Sequence, residues 1–148
     1  MAMKDESHES LTEYATRLVY RSELTRMQLK RKILARGAME IAADRICDEM
    51  QETGLIDDRR YCELFVSTHR ELGFKRMRME LLKRGVERDL VDRMVPFDLE
   101  DEIERAEELI RHWGPEVDTK KTWGRLSRRG FTFSVIREAI RRACDSTS

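Results

Sequence analysis

The arrangement closest to acid–base chemistry in this chain is the carboxylate pair Asp57-Asp58. Paired carboxylates can divide general acid and base roles when their surroundings push their pKa values apart. Here the pair stands at the start of a helix-forming run. Asp57 reads as an N-cap and Asp58 as a favourable contact with the helix dipole, so we assign the pair to capping rather than catalysis. The histidines His8, His69 and His112 fall on separate elements and read as solvated surface residues. The cysteines Cys47, Cys62 and Cys144 are scattered and odd in number. Neither set has metal-ligand spacing, and there is no P-loop or dinucleotide glycine fingerprint. No nucleophile has a base beside it. We expect no catalysis, no cofactor and no metal.

Basic residues are the more informative chemistry. They recur in three helical stretches: Arg26, Lys30, Arg31, Lys32 and Arg36; then Lys75, Arg76, Arg78, Lys83 and Arg84; then Lys120, Lys121, Arg125, Arg128 and Arg129. Acid is concentrated elsewhere, in 44–52 and 98–108. One basic helix is usually a solvated face; three with few interleaved acids suggest a stripe facing a polyanion. Equivalent helices stacked on one side of a repeat array would make that stripe continuous. The candidate polyanions are DNA phosphate and an acidic groove on another protein.

The elements that must position these residues are helices. Ile33-Leu34-Ala35-Arg36-Gly37-Ala38, Leu81-Leu82-Lys83-Arg84-Gly85-Val86 and Leu126-Ser127-Arg128-Arg129-Gly130-Phe131 share one order: apolar, two residues, Arg, Gly, apolar. Each reads as a helix closed by a Schellman motif, with the glycine at positive φ. The interval between glycines is nearly constant and within the roughly 20–50 residues of known repeat families. Counted from each glycine, Ala42, Ala43 and Ile46 correspond to Leu90, Val91 and Met94, and to Val135, Ile136 and Ala139; all share one helical face.

The spacing predicts helices over 11–21, 26–36 and about 38–53, one opening at the Asp57 cap and ending before the Leu72-Gly73 turn, one led into by Phe74 and closed at Gly85, and others over 87–95, 98–113, about 120–129 and from the Thr132 cap onward. Ser10/Glu13 and Thr25/Gln28 fit capping boxes, and Ile56 is placed to staple onto Tyr61. Leu34, Ile41 and Leu64 are expected inward, with Leu29, Ile33, Ile46, Met50, Phe65, Met77, Leu81, Ile103, Ala106 and Leu126. Pro96 and Gly114-Pro115 end helices. The fold is therefore expected to be all-α, with three tandem three-helix repeats stacked into a short curved solenoid. The organisation expected is a disordered tail at 1–9, repeats at 10–54, 55–97 and 98–144, and a frayed end at 145–148.

Composition agrees with this. Apolar residues make up 40% and charged residues 39%, with 7 glycines and 2 prolines, and net charge is zero. No apolar run is long enough to span a bilayer, and the start has no signal-peptide core. Scattered thiols suit a reducing compartment, so a cytoplasmic monomer is expected.

The residues now in view resemble the RecX family, bacterial modulators of the RecA recombinase. The resemblance rests on Leu55-Ile56-Asp57-Asp58 with Tyr61 and Phe65-Val66, on Met79 through Val86, and on Arg129-Gly130-Phe131 with Val135-Ile136-Arg137-Glu138-Ala139, and it runs from about Leu11 to Cys144. Three places depart from the family's pattern: Glu71-Leu72-Gly73 keeps one glycine of an expected two, Phe74 stands where proline is common, and Ala38 replaces a larger apolar residue. The resemblance implies a protein that binds the RecA–single-stranded DNA filament and inhibits RecA, with direct contact to single-stranded DNA open. The candidate contact residues are Arg26, Lys30, Arg31, Arg36, Lys75, Arg76, Lys83, Arg84, Lys120, Lys121, Arg125, Arg128 and Arg129. Two other readings stand beside it. One is a helix-turn-helix DNA binder turning at Gly37 or Gly85, although Glu40, Asp44, Asp48, Glu49 and Glu52 would then face phosphates. The other is a helical adaptor that contacts protein only.

Overall fold

The computed structural model describes residues 9–114 and 118–146. Among these the chain forms nine α-helices and no strand: α1 Leu11–Arg21, α2 Arg26–Ala35, α3 Glu40–Glu52, α4 Asp58–Thr68, α5 Phe74–Lys83, α6 Arg88–Met94, α7 Leu99–Trp113, α8 Thr119–Arg128 and α9 Phe133–Ser146. The expectations for residues 1–8, Pro115 and residues 147–148 lie outside the described residues.

Local chemistry sets the helix limits. Ser10, Asp57 and Asp98 each accept a hydrogen bond from the backbone N–H three residues on, at 3.1 Å. Thr25 and Gln28 form a reciprocal capping box. Gly85 and Gly130 have φ of 88° and 94°, and the Val86 and Phe131 N–H groups reach back to the Leu81 and Leu126 carbonyls at 3.2 Å. These are complete Schellman motifs. Gly37 has φ 94° and the inner bond to Leu34, but Ala38 does not close the outer one. Gly54 closes α3 in the same way, with Leu55 and Ile56 both bonded to the Met50 carbonyl.

Three separate hydrophobic clusters follow, one per three-helix unit: Leu29, Ile33 and Ile46 lie in the first, Phe65, Leu81 and Val91 in the second, and Ile103, Leu126 and Ile136 in the third. Each fully buried Leu or Ile contributes about 1.5–3 kcal/mol. Cys47 and Cys62 are core residues too, both fully buried. Cys47 centres the buried face of α3, so Ile41, expected inward, lies on the opposite side and is 75% exposed. Leu64 is turned out of α4 for the same reason, opposite Cys62, and Leu34 lies at the edge of its face. Folding back onto Met50 places Ile56 in the first cluster, whereas Tyr61 borders the second. Glu9, expected in a frayed tail, is paired with Arg17 at 2.9 Å. Asp145 and Ser146 continue α9 instead of fraying, with Asp145 bonded to Arg141 and Ser146 to the Arg142 carbonyl.

The units meet through two matching polar joints. At the first, the Asp58 carboxylate accepts the Arg26 N–H at 2.8 Å, and the Thr25 hydroxyl donates to the Arg84 carbonyl at 2.7 Å. At the second, the Glu102 carboxylate accepts the Phe74 N–H at 2.8 Å, and the Gly73 N–H donates to the Arg129 carbonyl at 2.7 Å. In each case the later unit's first helix supplies a carboxylate to an orphan helix N–H of the earlier unit. Arginines brace both joints: Arg60 pairs with Glu23 at 2.6 Å, and Arg105 donates to the Arg70 and Leu72 carbonyls while pairing with buried Glu102. The second helices of the units are thus joined end to end, α8 to α5 to α2, and not laid side by side. Negative helix ends meet positive ones, and about 45 Å of helix runs in one polarity.

Candidate functional site

The basic residues lie along this joined series of helices, but many are neutralised within the fold. Arg26 pairs with Asp48 at 2.7 Å and donates to Gln51, and Lys30 pairs with Asp44 and Glu40. Hydrogen bonds to Asp44 and Glu40 raise the Lys30 pKa. The acidic α3 therefore answers the basic α2, and it presents carboxylates, which suits a DNA recognition helix poorly. Arg78 pairs with Asp92 at 2.5 Å. Arg84 and Arg76 both reach Glu80, at 2.8 and 3.1 Å, and their hydrogen bonds, Arg84's first, hold its carboxyl below the usual range.

The Arg of each Arg-Gly signature has an internal role in all three units. Arg36 stacks over Tyr14 with its guanidinium 4.1 Å from the ring centroid, Arg84 over Phe65 at 4.9 Å, and Arg129 over Trp113 at 5.5 Å. In every unit the C-cap arginine of the second helix lies on an aromatic ring of the first, a cation–π contact of about 0.5–1 kcal/mol or more. The recurrence that first suggested a shared ligand surface has this packing role whether or not a ligand binds.

Among the described residues, Arg31, Lys32, Lys75, Lys83, Lys120, Lys121, Arg125, Arg128 and Arg129 make no ion pair. Five of them belong to α8 and its cap, which carry no acid between Thr119 and Arg129. Lys121, Arg125 and Arg128 share one exposed face at i, i+4 and i+7. Where α8 meets α5, Leu72, Arg76, Trp113, Arg125, Arg128 and Arg129 line an open groove of about 410 Å³, with no carboxylate in its lining among the described residues. Among the described residues, α8 and its cap therefore hold the densest run of cations without an ion pair.

The remaining candidates are structural. Asp57 caps α4, and Asp58, in the first turn of α4, also accepts the Arg26 N–H at the N-terminus of α2. Burial raises the Asp58 pKa against the opposing bond from Arg26. His69 is half-buried rather than fully solvated: its ring lies 3.9 Å from that of Phe65, and Nδ1 is 2.9 Å from the Phe65 carbonyl oxygen. His112 is exposed, and His8 lies outside the described residues. No group of His, Cys, Asp and Glu that could hold a metal ion occurs among the described residues, and no helix there is long and apolar enough to cross a membrane. Sequence reading missed Trp113, Glu102 and Arg105. Asp58 and Glu102 stand at matching distances, within one residue, ahead of Gly85 and Gly130, which was the available signal.

Comparisons with known proteins give this architecture its relatives. A family model described as RecX, second three-helix domain, matches residues 57–94. A protein of Thermus thermophilus named Regulatory protein RecX is 34% identical over 131 residues, covering 88% of this chain and 89% of its own. One of Mycolicibacterium smegmatis bearing the same name is 31% identical over 131 residues, covering 78% and 70%. The crystal structure of RecX from Lactobacillus salivarius shares the fold with a TM-score of 0.69 at 20% identity, over 90% of this chain and 94% of that one. A second crystal structure, of regulatory protein RecX, matches with a TM-score of 0.71 at 20% identity, over 87% and 69%. With near-full-length similarity in sequence and the same all-α repeat fold, the chain belongs to the RecX family of regulatory proteins.

Proposed function

We propose that this protein binds the RecA–single-stranded DNA filament and inhibits RecA's ATPase, strand-exchange and coprotease activities, acting as a cytoplasmic monomer in recombinational repair and the SOS response. The observation that carries the reading is the match to proteins named Regulatory protein RecX over nearly the whole chain. The unpaired cations of α5 and α8 support it, because a nucleoprotein filament presents both phosphates and acidic side chains. The role needs no catalytic residue in this chain: a regulator changes the equilibrium of its target by binding one state more tightly than another.

The test is RecA's DNA-dependent ATPase on single-stranded DNA, with this protein added below the RecA concentration. Strong inhibition at low ratios is expected. No inhibition at any ratio, with the protein folded by circular dichroism, removes the reading. A sequence-dependent complex with naked duplex in the same preparation would favour the helix-turn-helix alternative.

A further inference from the structure

We propose that the groove between α5, the end of α7 and α8 is a phosphodiester site that single-stranded DNA occupies. The inference rests on the function proposed above only for the choice of single-stranded over double-stranded DNA.

Four guanidinium groups converge on this groove from Arg76, Arg125, Arg128 and Arg129, and no carboxylate lines it among the described residues. Arg76 is paired with Glu80, but Arg125, Arg128 and Arg129 have no ion-pair partner among the described residues, and like charges so gathered raise a local positive potential that an anion relieves. Three of the groups, those of Arg125, Arg129 and Arg76, are also held in place. Arg125 and Arg129 lie over the Trp113 indole at 5.1 and 5.5 Å from its centroid. Arg76 is held by Nε on Glu80 at 3.1 Å and by Nη1 on the Arg128 carbonyl at 3.2 Å. Its Nη2 has no partner among the described residues, and it is free to donate into the groove. Arginines held this way lose little freedom on binding, and their planar forks match phosphate oxygens in bidentate pairs.

The first joint is packed differently. Gly85 there packs against Met27, whereas Gly130 at the second joint packs against Arg76. Of the exposed α2 pair Arg31 and Lys32, neither lies over a tryptophan as Arg125 and Arg129 do. The lining of the second joint also separates nucleic acid from an acidic protein surface. Carboxylates would need only the arginines. The half-buried indole and Leu72 add an apolar floor, and sequence-tolerant binding of single strands combines a cationic groove with aromatic surface for bases.

The chain has two tryptophans, so Trp123→Phe leaves Trp113 as the only one. This variant is titrated with an oligomer of about 16 thymidine nucleotides, followed by tryptophan emission and by anisotropy of the labelled oligomer. Binding should quench Trp113. Adding Arg125→Gln and Arg128→Gln should weaken binding tenfold or more and lower the slope of log affinity against log salt by about 1.4, at about 0.7 per phosphate. The control pair Arg31→Gln with Lys32→Gln should leave both unchanged. Equal weakening by the control pair, no weakening by the groove pair, or a bound complex that leaves Trp113 emission unchanged overturns the proposal. So does equal competition by polyglutamate, by inorganic phosphate at matched phosphate concentration, or by a duplex of the same length. RecA ATPase is measured on the same preparations. A protein that inhibits RecA but does not bind the oligomer removes this site alone. One that binds the oligomer through Trp113 but leaves RecA untouched removes the function proposed above and keeps the site.

Discussion

Replacing Gly85 and Gly37 with alanine, one at a time, separates turn geometry from joint packing. Both glycines have φ near +90°, at 88° and 94°. An L residue in the left-handed region costs about 1–2 kcal/mol, and Gly37→Ala should lose that and no more, since nothing lies within 4 Å of the added Cβ. At Gly85 the added atom would stand 2.2 Å from Met27 Cβ and 2.5 Å from its Cγ. Carbon atoms pack at about 3.5–4.0 Å, and Cβ is fixed to the α2 backbone, so the joint must open. Overpacking of this kind costs about 1–3 kcal/mol, for a total of about 2–5 kcal/mol. Urea denaturation measures the loss, and amide hydrogen exchange locates it. Gly85→Ala should speed exchange of the Arg26 amide, which Asp58 holds across that joint, and leave the Phe74 amide protected. Gly130→Ala should do the reverse, because its Cβ meets Arg76 at the other joint. Equal losses for Gly37→Ala and Gly85→Ala, or unchanged Arg26 exchange, would refute the account of the joints.

Three further outcomes are expected. Arg105→Ala should cost about 3–5 kcal/mol in urea denaturation by leaving the Glu102 charge buried without its partner, and adding Glu102→Gln should recover part of it. Glu138 is held down to about 2 by hydrogen bonds from Arg141 and then Arg142, against an ordinary value of 4.5. Its folded pKa is the lower, so its contribution is full above pH 4.5 and is lost as pH falls toward 2; Glu138→Gln should flatten the low-salt Tm profile in that window, and the difference should shrink in high salt. A thiol reagent at neutral pH should label Cys144 quickly in the native protein and spare Cys47 and Cys62, which are fully buried, with the Cys62 thiol pushed up to about 11 by burial. Fast labelling of three thiols without denaturant would contradict the core assignment.

Helix positions, three of the glycine stops and the threefold unit were legible along the chain because they depend on neighbours within one turn. A cap needs an oxygen at the N-cap and an N–H two or three residues on, and a Schellman motif needs a glycine just past the last turn. Those distances are properties of the string, and Thr25, Asp57, Gly85 and Gly130 behave as their local patterns require. Which apolar residues face inward was less legible. Ile41 and Leu64 are hydrophobic, yet the buried faces of α3 and α4 are centred on Cys47 and Cys62. The net effect of each basic residue was not legible at all. Arg26 and Lys30 are answered by acids on a different helix, Arg36, Arg84 and Arg129 lie on aromatic rings contributed by another element, and Trp113 comes beside Arg125 only when α7 and α8 pack. Charge listed along a chain gives the supply of cations. Coulomb energy depends on distance and on which groups lose water, so only the folded arrangement decides which cations remain uncompensated.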